Sequence, residues 1–276
     1  MINKINTALK IFNTNGFVTF LNYFFVKLKV PFHFNETLKS EILNFAKMCK
    51  IYYTGLDLLR IGPKSDGGYL VPNILKEIEY CYSPGVGLST KFEDHLLFDY
   101  NIKSFTADGT IKNPNSKHIF LEKNIGIESN DKEITLKSWI ESNTPNNKNL
   151  MLQMDIEGQE LEVLLSTHSD ILSLFKIMII EFHDFIEIRT KLGLRLYKAL
   201  FEKLLKTHTI YHIHPNNMQG QILIKGIYFP KIIEIGFVKN TLIKQKSNLN
   251  YKLPHKLDVK NYQANPEIYL DKVFYN

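Results

Sequence analysis

From Leu56 to Val71 two short apolar runs flank Gly62-Pro63-Lys64-Ser65-Asp66-Gly67-Gly68, a turn-forming cluster that predicts a hairpin or a shaped loop. A regular order then sets in. Ile78 to Ser83 predicts a short strand, Gly85-Val86-Gly87 a turn, and the next stretch a helix with Phe92, Leu96 and Tyr100 on one face. Ile102 to Ala107 and His118 to Ile125 predict two further strands, and Ile134 to Ile140 a helix. Leu150 to Met154 is an apolar strand, after which Leu161, Leu164, Leu165 and His168 recur at helical spacing. Lys176 to Phe182, Leu194 to Leu205 and Thr209 to Ile213 continue as strand, helix and strand. Such alternation implies βαβ crossovers and a parallel sheet covered on both faces. Gln221 to Lys225 and Ile232 to Val238, separated by Pro230, predict an antiparallel pair that closes the sheet. The first fifty residues look helical and poorly punctuated, and Asn143 to Asn149 forms an Asn-rich loop.

Composition narrows the class. Of 276 residues 44% are hydrophobic and 22% charged, enough apolar surface for one large core or two modest ones, which excludes wholesale disorder and a disulfide-stapled module. The net charge of +6 favours anionic partners without singling one out. Cys49 and Cys81 form no CxxC pair, which argues against thiolate zinc sites and fits a reducing compartment, the cytoplasm by default. The most membrane-like segment, Gly16 to Val30, is broken by Asn22, Lys27 and Lys29, so it is too short and polar to span a bilayer. It also lacks a secretory cleavage site and reads as an amphipathic lead-in that packs on the body or a partner, with a membrane surface as the alternative.

Gly85-Val86-Gly87 follows the first strand of the series, where a doubly wound sheet brings its backbone close to a nucleotide. A tight strand-to-helix turn without ligand is the equal alternative. No third glycine completes a dinucleotide fingerprint, which counts against a pyrophosphate cofactor. Asp108 follows the second strand, 23 residues after Gly85, where an acid accepts hydrogen bonds from ribose hydroxyls. Glycine turn and acid together point to an adenosine-type ligand without a required diphosphate.

The fourth, fifth and sixth strands of the series end in Asp155-Ile156-Glu157-Gly158, Glu181-Phe182-His183-Asp184 and His212-Ile213-His214-Pro215-Asn216-Asn217. Glu181 shares a face with His183, and His212 with His214, because side chains alternate along a strand. Carboxylates and imidazoles converging on one rim serve as a general base or as oxygen and nitrogen ligands for a divalent metal. For a single histidine a structural hydrogen bond remains the plainer account.

Arg60-Ile61-Gly62 with Asp66-Gly67-Gly68-Tyr69, Ser83-Pro84-Gly85-Val86-Gly87 with Phe92-Glu93, and Asp155-Ile156-Glu157-Gly158 with Glu160 together resemble the FkbM-type S-adenosylmethionine-dependent methyltransferases. The resemblance covers roughly residues 55 to 240. It implies the class I methyltransferase fold, a Rossmann-like α/β sheet of seven mostly parallel strands with the last antiparallel. The chain is expected to divide into a helical N-terminal extension (1–54), the methyltransferase domain (55–240) and a C-terminal tail packing on it (241–276), the first and last of these lying outside the resemblance. It implies that Gly85 and Gly87 face the methionine end of the cofactor and Asp108 its ribose, with Asp66 also on the cofactor side. Asp155 and Glu157 fall at the active-site edge, Glu157 toward the cofactor. Asp108-Gly109 stands where family members often have an Asp-Pro-like pair, a mild departure.

The family's usual activity implies O-methylation of a sugar or nucleotide-sugar hydroxyl, in surface-polysaccharide biosynthesis. Either His183 or His214 would act as base. Alternatively a divalent ion (Mn, Fe, Mg or Zn) held by Asp155, His183 and His214 would acidify the hydroxyl, with Glu181 and His212 behind them. The rivals are a nicotinamide enzyme, an RNA methyltransferase and a non-catalytic scaffold. Scattered lysines without a basic stripe weigh against nucleic acid as a partner. A homo-oligomer is left open.

Overall fold

The computed structural model describes residues 36–112, 117–144, 149–249 and 251–275, so the lead-in from Gly16 to Val30 and residues 145–148 of the Asn-rich loop lie outside it. Helix α1 (Lys39–Met48) precedes the short strand β1 (Tyr52–Tyr53) and the antiparallel hairpin β2 (Leu58–Ile61) and β3 (Tyr69–Pro72). Then follow β4 (Tyr80–Pro84), α2 (Lys91–Tyr100), β5 (Lys103–Ala107), β6 (Ile119–Leu121), β7 (Asn124–Gly126), β8 (Glu133–Thr135) and α3 (Leu136–Asn143). The remaining elements are β9 (Leu150–Met154), α4 (Glu160–Ser166), α5 (Ser169–Leu172), β10 (Phe175–Phe182), α6 (Lys191–Leu205), β11 (His208–Ile224), β12 (Ile227–Lys239) and β13 (Ser247–Asn248).

Seven strands form one sheet in the order β11-β12-β10-β9-β4-β5-β6. Pairing is parallel from β10 through to β6, and β12 lies antiparallel between β10 and β11. The mostly parallel, helix-flanked sheet expected from the sequence is therefore present. Its strand order reverses between β4 and β9, the place where an open α/β sheet leaves a crevice beyond its strand ends.

Apolar runs in the strands are continuous because both faces are covered. Leu150, Leu152 and Met154 of β9 join a core with Phe45 of α1, Trp139 of α3, Leu164 of α4 and Phe201 of α6. Met151, one residue out of phase, enters a smaller core with Tyr69, Phe92 and Leu96 under the hairpin and α2. Helix α6 begins where Thr190 accepts a hydrogen bond from Gly193 N at 3.0 Å, and it buries Leu194, Tyr197, Leu200, Phe201 and Leu204 along one stripe. No described helix is long and apolar enough to cross a membrane.

Three elements differ from the sequence pattern. The run His118 to Ile125 is divided: β6 pairs with β5, the chain turns as Lys123 N donates to Leu121 O, and β7 pairs with β8 instead. The helix expected from Ile134 starts at Leu136, because Thr135 caps it by accepting from Ser138 N at 3.1 Å and β-branched Ile134 stays extended. Thr209 to Ile213 and Gln221 to Lys225 are not separate strands; β11 runs 17 residues through both, with irregularities after Ile210 and Asn216. Pro230 lies inside β12, opposite Gln221 at the second irregularity, where a missing N–H is tolerated.

The ends of β4 and β9 approach so closely that a Cβ on Gly85 would lie 1.5 Å from Asp155 O, and Gly85 has φ 82°. Gly87 also has a left-handed backbone, φ 57°, but a Cβ there meets nothing within 4 Å. Gly85→Ala is therefore expected to destabilise the fold by roughly 2–4 kcal/mol or prevent folding, and Gly87→Ala by about 1 kcal/mol, as read from urea denaturation. Equal losses would show that backbone strain alone, not the strand contact, governs the turn.

Candidate functional site

Two adjoining hollows open beyond the carboxyl ends of β4, β5 and β9. One, of ≈ 340 Å³, is lined by Gly85, Gly87, Ala107, Asp108, Asn124 and Ile125, with Asp155 and Glu157 at its edge. The other, of ≈ 270 Å³, is lined by Asp66, Tyr69, Phe92, Glu93 and Gln153 and shares Gly85, Gly87, Asp155 and Glu157 with the first. A third hollow, of ≈ 380 Å³ between α1 and α6, lies among Phe45, Leu194 and Arg195 and holds none of the expected site residues.

Asp108 is buried and already engaged. Its Oδ2 accepts from Gly87 N at 3.1 Å and its Oδ1 from Thr110 N at 2.7 Å and Thr110 Oγ1 at 2.6 Å. The acid thus holds the glycine turn in shape as well as lining the first hollow. Asn124 closes that side, accepting from Gly109 N at 3.0 Å.

Around Asp155 the chain turns sharply, with φ of 56° at Glu157 and 97° at Gly158. Glu160, the first residue of α4, fastens this turn: its Oε1 accepts from Ile156 N at 3.0 Å and Gly158 N at 3.2 Å. The same oxygen lies 3.1 Å from His183 Nδ1, and His183 Nε2 lies 3.6 Å from Asp155 Oδ1 and 3.4 Å from Glu157 Oε2. Desolvation lowers the basicity of His183, but the hydrogen bond and charge of Glu160, followed by the charges of Asp155 and Glu157, overcome it and raise its pKa to about 9. Burial pushes the Asp155 carboxyl up, and the His183 charge only partly offsets it.

Asp66 of the β2–β3 turn, Glu181 and Glu234 bring carboxylate oxygens within 4.8 Å of one another. Glu181 of β10, Glu234 of β12 and His214 of β11 stand side by side across the sheet. Burial and then the charge of Glu234 push Glu181 well up. Asn216 donates to Glu181 at 2.7 Å, and Asn261 of the tail donates to Glu234 at 2.6 Å and Asp66 at 2.9 Å. His214 lies between Glu234, at 3.2 Å, and Glu267, at 3.8 Å; desolvation opposes its charge, Glu234 wins, and its pKa rises to about 10. His212 pairs with tail Asp258 at 2.9 Å.

The ligand set expected from the sequence, Asp155, His183 and His214, is not assembled. Ligand atoms within 4.8 Å of one another come instead from Asp155, Glu160 and His183. The reason is topological: β12 lies between β10 and β11, so their ends stand two strand spacings, about 10 Å, apart. Glu160 is also committed to the backbone of the turn. Gly85, Gly87, Asp108, Asp155 and Glu157 do share one cleft, with Asp66 on its far side.

Sequence reasoning gave no role of their own to Glu93, Gln153 and Asn124. Glu93 was within reach, as an acid three residues before Leu96 and next to Phe92, on the apolar face of α2, is rarely solvated. It is buried, accepts a hydrogen bond from Ser83 Oγ, and burial raises its pKa from 4.5 to about 7. Below the ordinary carboxylate range Glu93 is protonated in folded and unfolded chains alike; as pH rises toward 7 only the unfolded chain ionises readily, so stability falls. Glu93→Gln is expected to stabilise the protein by roughly 3 kcal/mol above about pH 7.5 and very little near pH 4. A pH-independent change in the urea midpoint would contradict a buried, neutral Glu93.

The model of the methyltransferase FkbM domain matches residues 56–208. No curated protein matches the chain. Among solved structures it is similar to the fibrillarin/Nop5p complex, with 12% identity over 69% of this chain and 98% of that chain and a TM-score of 0.35. It is also similar to a 16S rRNA adenine methyltransferase from Catenulisporales acidiphilia, with 11% identity over 67% and 97% and a TM-score of 0.28. An antibiotic-related methyltransferase matches at 16% identity over 66% and 99%, with a TM-score of 0.29. With the family model spanning more than half its length and a sheet of the class I methyltransferase order, this chain belongs to the FkbM methyltransferase family.

Proposed function

We propose that the protein methylates a hydroxyl of a sugar or nucleotide sugar, with S-adenosylmethionine as donor. The donor fits the residues present. Gly87 leaves open space where any side chain would stand, Ala107 is small, and Asp108 offers a buried carboxylate at the ribose position. Gly85, Gly87 and Asp108 would hold it, with Asn124 and Ile125 beside the base. When bound it supplies a methyl group on a sulfonium, an electrophile that needs only an aligned nucleophile.

The observation that carries the substrate class is the acid-lined second hollow. Asp66, Asp155 and Glu157 line or edge it, and Glu181 and Glu234 stand beside Asp66. Such a rim repels a polyanionic nucleic-acid backbone and offers hydrogen-bond acceptors to the hydroxyls of an uncharged ring. Tyr69, packed edge-on against Phe92 at 5.5 Å, adds an aromatic surface on the same side.

His183 is the base in this reading, since its Nε2 faces Asp155 and Glu157, which line both hollows, whereas His214 is enclosed by Glu234 and Glu267. With its pKa at about 9 the ring is charged at neutral pH, and it becomes a proton acceptor when neutralisation of Asp155 or Glu157 lowers that basicity. Asp155 and Glu157 orient the incoming hydroxyl. No step is assigned to a metal, because the expected ligands do not meet and Glu160, which joins Asp155 and His183 instead, is bound to the backbone of the turn.

Calorimetry should detect S-adenosylhomocysteine binding, weakened at least about tenfold by Asp108→Ala, which removes both a ribose acceptor and the anchor of Gly87. Incubation with labelled S-adenosylmethionine should label a member of a nucleotide-sugar panel and leave RNA unlabelled. His183→Ala should lower kcat about 100-fold or more with S-adenosylhomocysteine affinity unchanged, and chelator should leave turnover intact. Labelled RNA alone, or loss of turnover in chelator restored by a divalent ion, would overturn the substrate or the metal-free reading respectively.

A further inference from the structure

Glu160 is among the most buried acids of the described residues, 2% exposed, and it lines neither hollow, so it can act only through a neighbour. Its Oε1 faces three nitrogens: Ile156 N at 3.0 Å, Gly158 N at 3.2 Å and His183 Nδ1 at 3.1 Å. Two of these are main-chain N–H groups that can only donate. An oxygen accepting both has no proton to give along the third contact, so Nδ1 of His183 must carry the hydrogen.

The geometry points to Glu160 as the positioning residue of His183, holding the imidazole with Nδ1–H inward and leaving Nε2 as the one ring nitrogen that meets the acceptor. Its catalytic meaning rests on the methyl-transfer reading above; its geometry does not. Nε2 lies on the side of Asp155 and Glu157, at 3.6 Å and 3.4 Å, so the reactive hydroxyl enters along the edge where the two hollows join. There its proton would pass from oxygen to Nε2 while the oxygen's electron pair forms the new bond to the methyl carbon, the carbon–sulfur bond breaks with its electrons kept by sulfur, and S-adenosylhomocysteine leaves as a neutral thioether. The positive ring that results is held by the carboxylate behind it.

One oxygen therefore ties two things together. The turn that carries Asp155 and Glu157 and the ring that takes the proton share a single anchor, so neither moves without the other. Asp155 N donates to Pro84 O at 3.2 Å, which extends this coupling to the glycine turn.

The test uses the full-length protein labelled with nitrogen-15. Two-bond proton–nitrogen spectra report which imidazole nitrogen is protonated, and comparison with His183→Gln assigns His183 among the 9 histidines. Once the ring is neutral, the wild-type protein should show the proton on Nδ1. Glu160→Gln should shift it toward Nε2 and lower kcat by about 10- to 100-fold, with S-adenosylhomocysteine affinity changed less than about twofold. A neutral wild-type ring protonated at Nε2 would overturn the assignment, and so would a Glu160→Gln protein that keeps both tautomer and kcat. Should that variant fail to fold, the wild-type spectrum still decides. An Nδ1–H ring in a protein that binds no S-adenosylhomocysteine would uphold the positioning role and remove the methyl-transfer reading.

Discussion

The close approach of two backbone turns, at Gly85 and Asp155, is the constraint from which the cleft follows. Gly85 N donates to Ala107 O at 2.8 Å and Asp155 N to Pro84 O at 3.2 Å, so the ends of β4, β5 and β9 are drawn together after the ladders stop. Only a residue without Cβ fits between them. Because this contact falls where the strand order reverses, the helices that follow β4 and β9 diverge from it and leave the hollows between them. Asp108 then fixes Gly87, and Glu160 fixes the turn after Asp155.

That arrangement crowds acids. Glu181 stands directly opposite Glu234, an unfavourable cross-strand pair. His214 beside Glu234, with amides from Asn216 and Asn261, offsets part of the repulsion. Much of this compensation comes from the tail: Asp258 pairs with His212, Asn261 bridges Asp66 and Glu234, and Glu267 faces His214. The tail lies outside the stretch matched by the family model, yet its polar side chains close one end of the site. Crowded carboxylates that destabilise a fold are expected where binding or catalysis uses them.

Element order was legible because helix and strand periods are local properties of sequence. The sheet strands β4, β5, β9 and β10 fall within a few residues of their apolar runs, since strands buried on both faces must be apolar throughout. Two of the failures share one cause. Whether His118 to Ile125 makes one strand or two depends on which neighbours its halves find, β5 for one and β8 for the other. Likewise the polar stretch His212 to Asn217 reads as the end of a strand, but β12 alongside supplies a partner that carries β11 onward.

The sequence by itself determined the class of sheet, the glycine turn, the acid after β5 and the polar chemistry of the strand ends, because each is written in residues adjacent along the chain. Tertiary structure alone decided which of those polar ends meet. Successive strands in sequence are not successive in space here: β12 inserts between β10 and β11 and carries His214 away to Glu234, while the helix after β9 brings Glu160 back to His183. Alternation tells which face a side chain takes, but lateral order depends on where distant segments pair, and that information is not local to any strand.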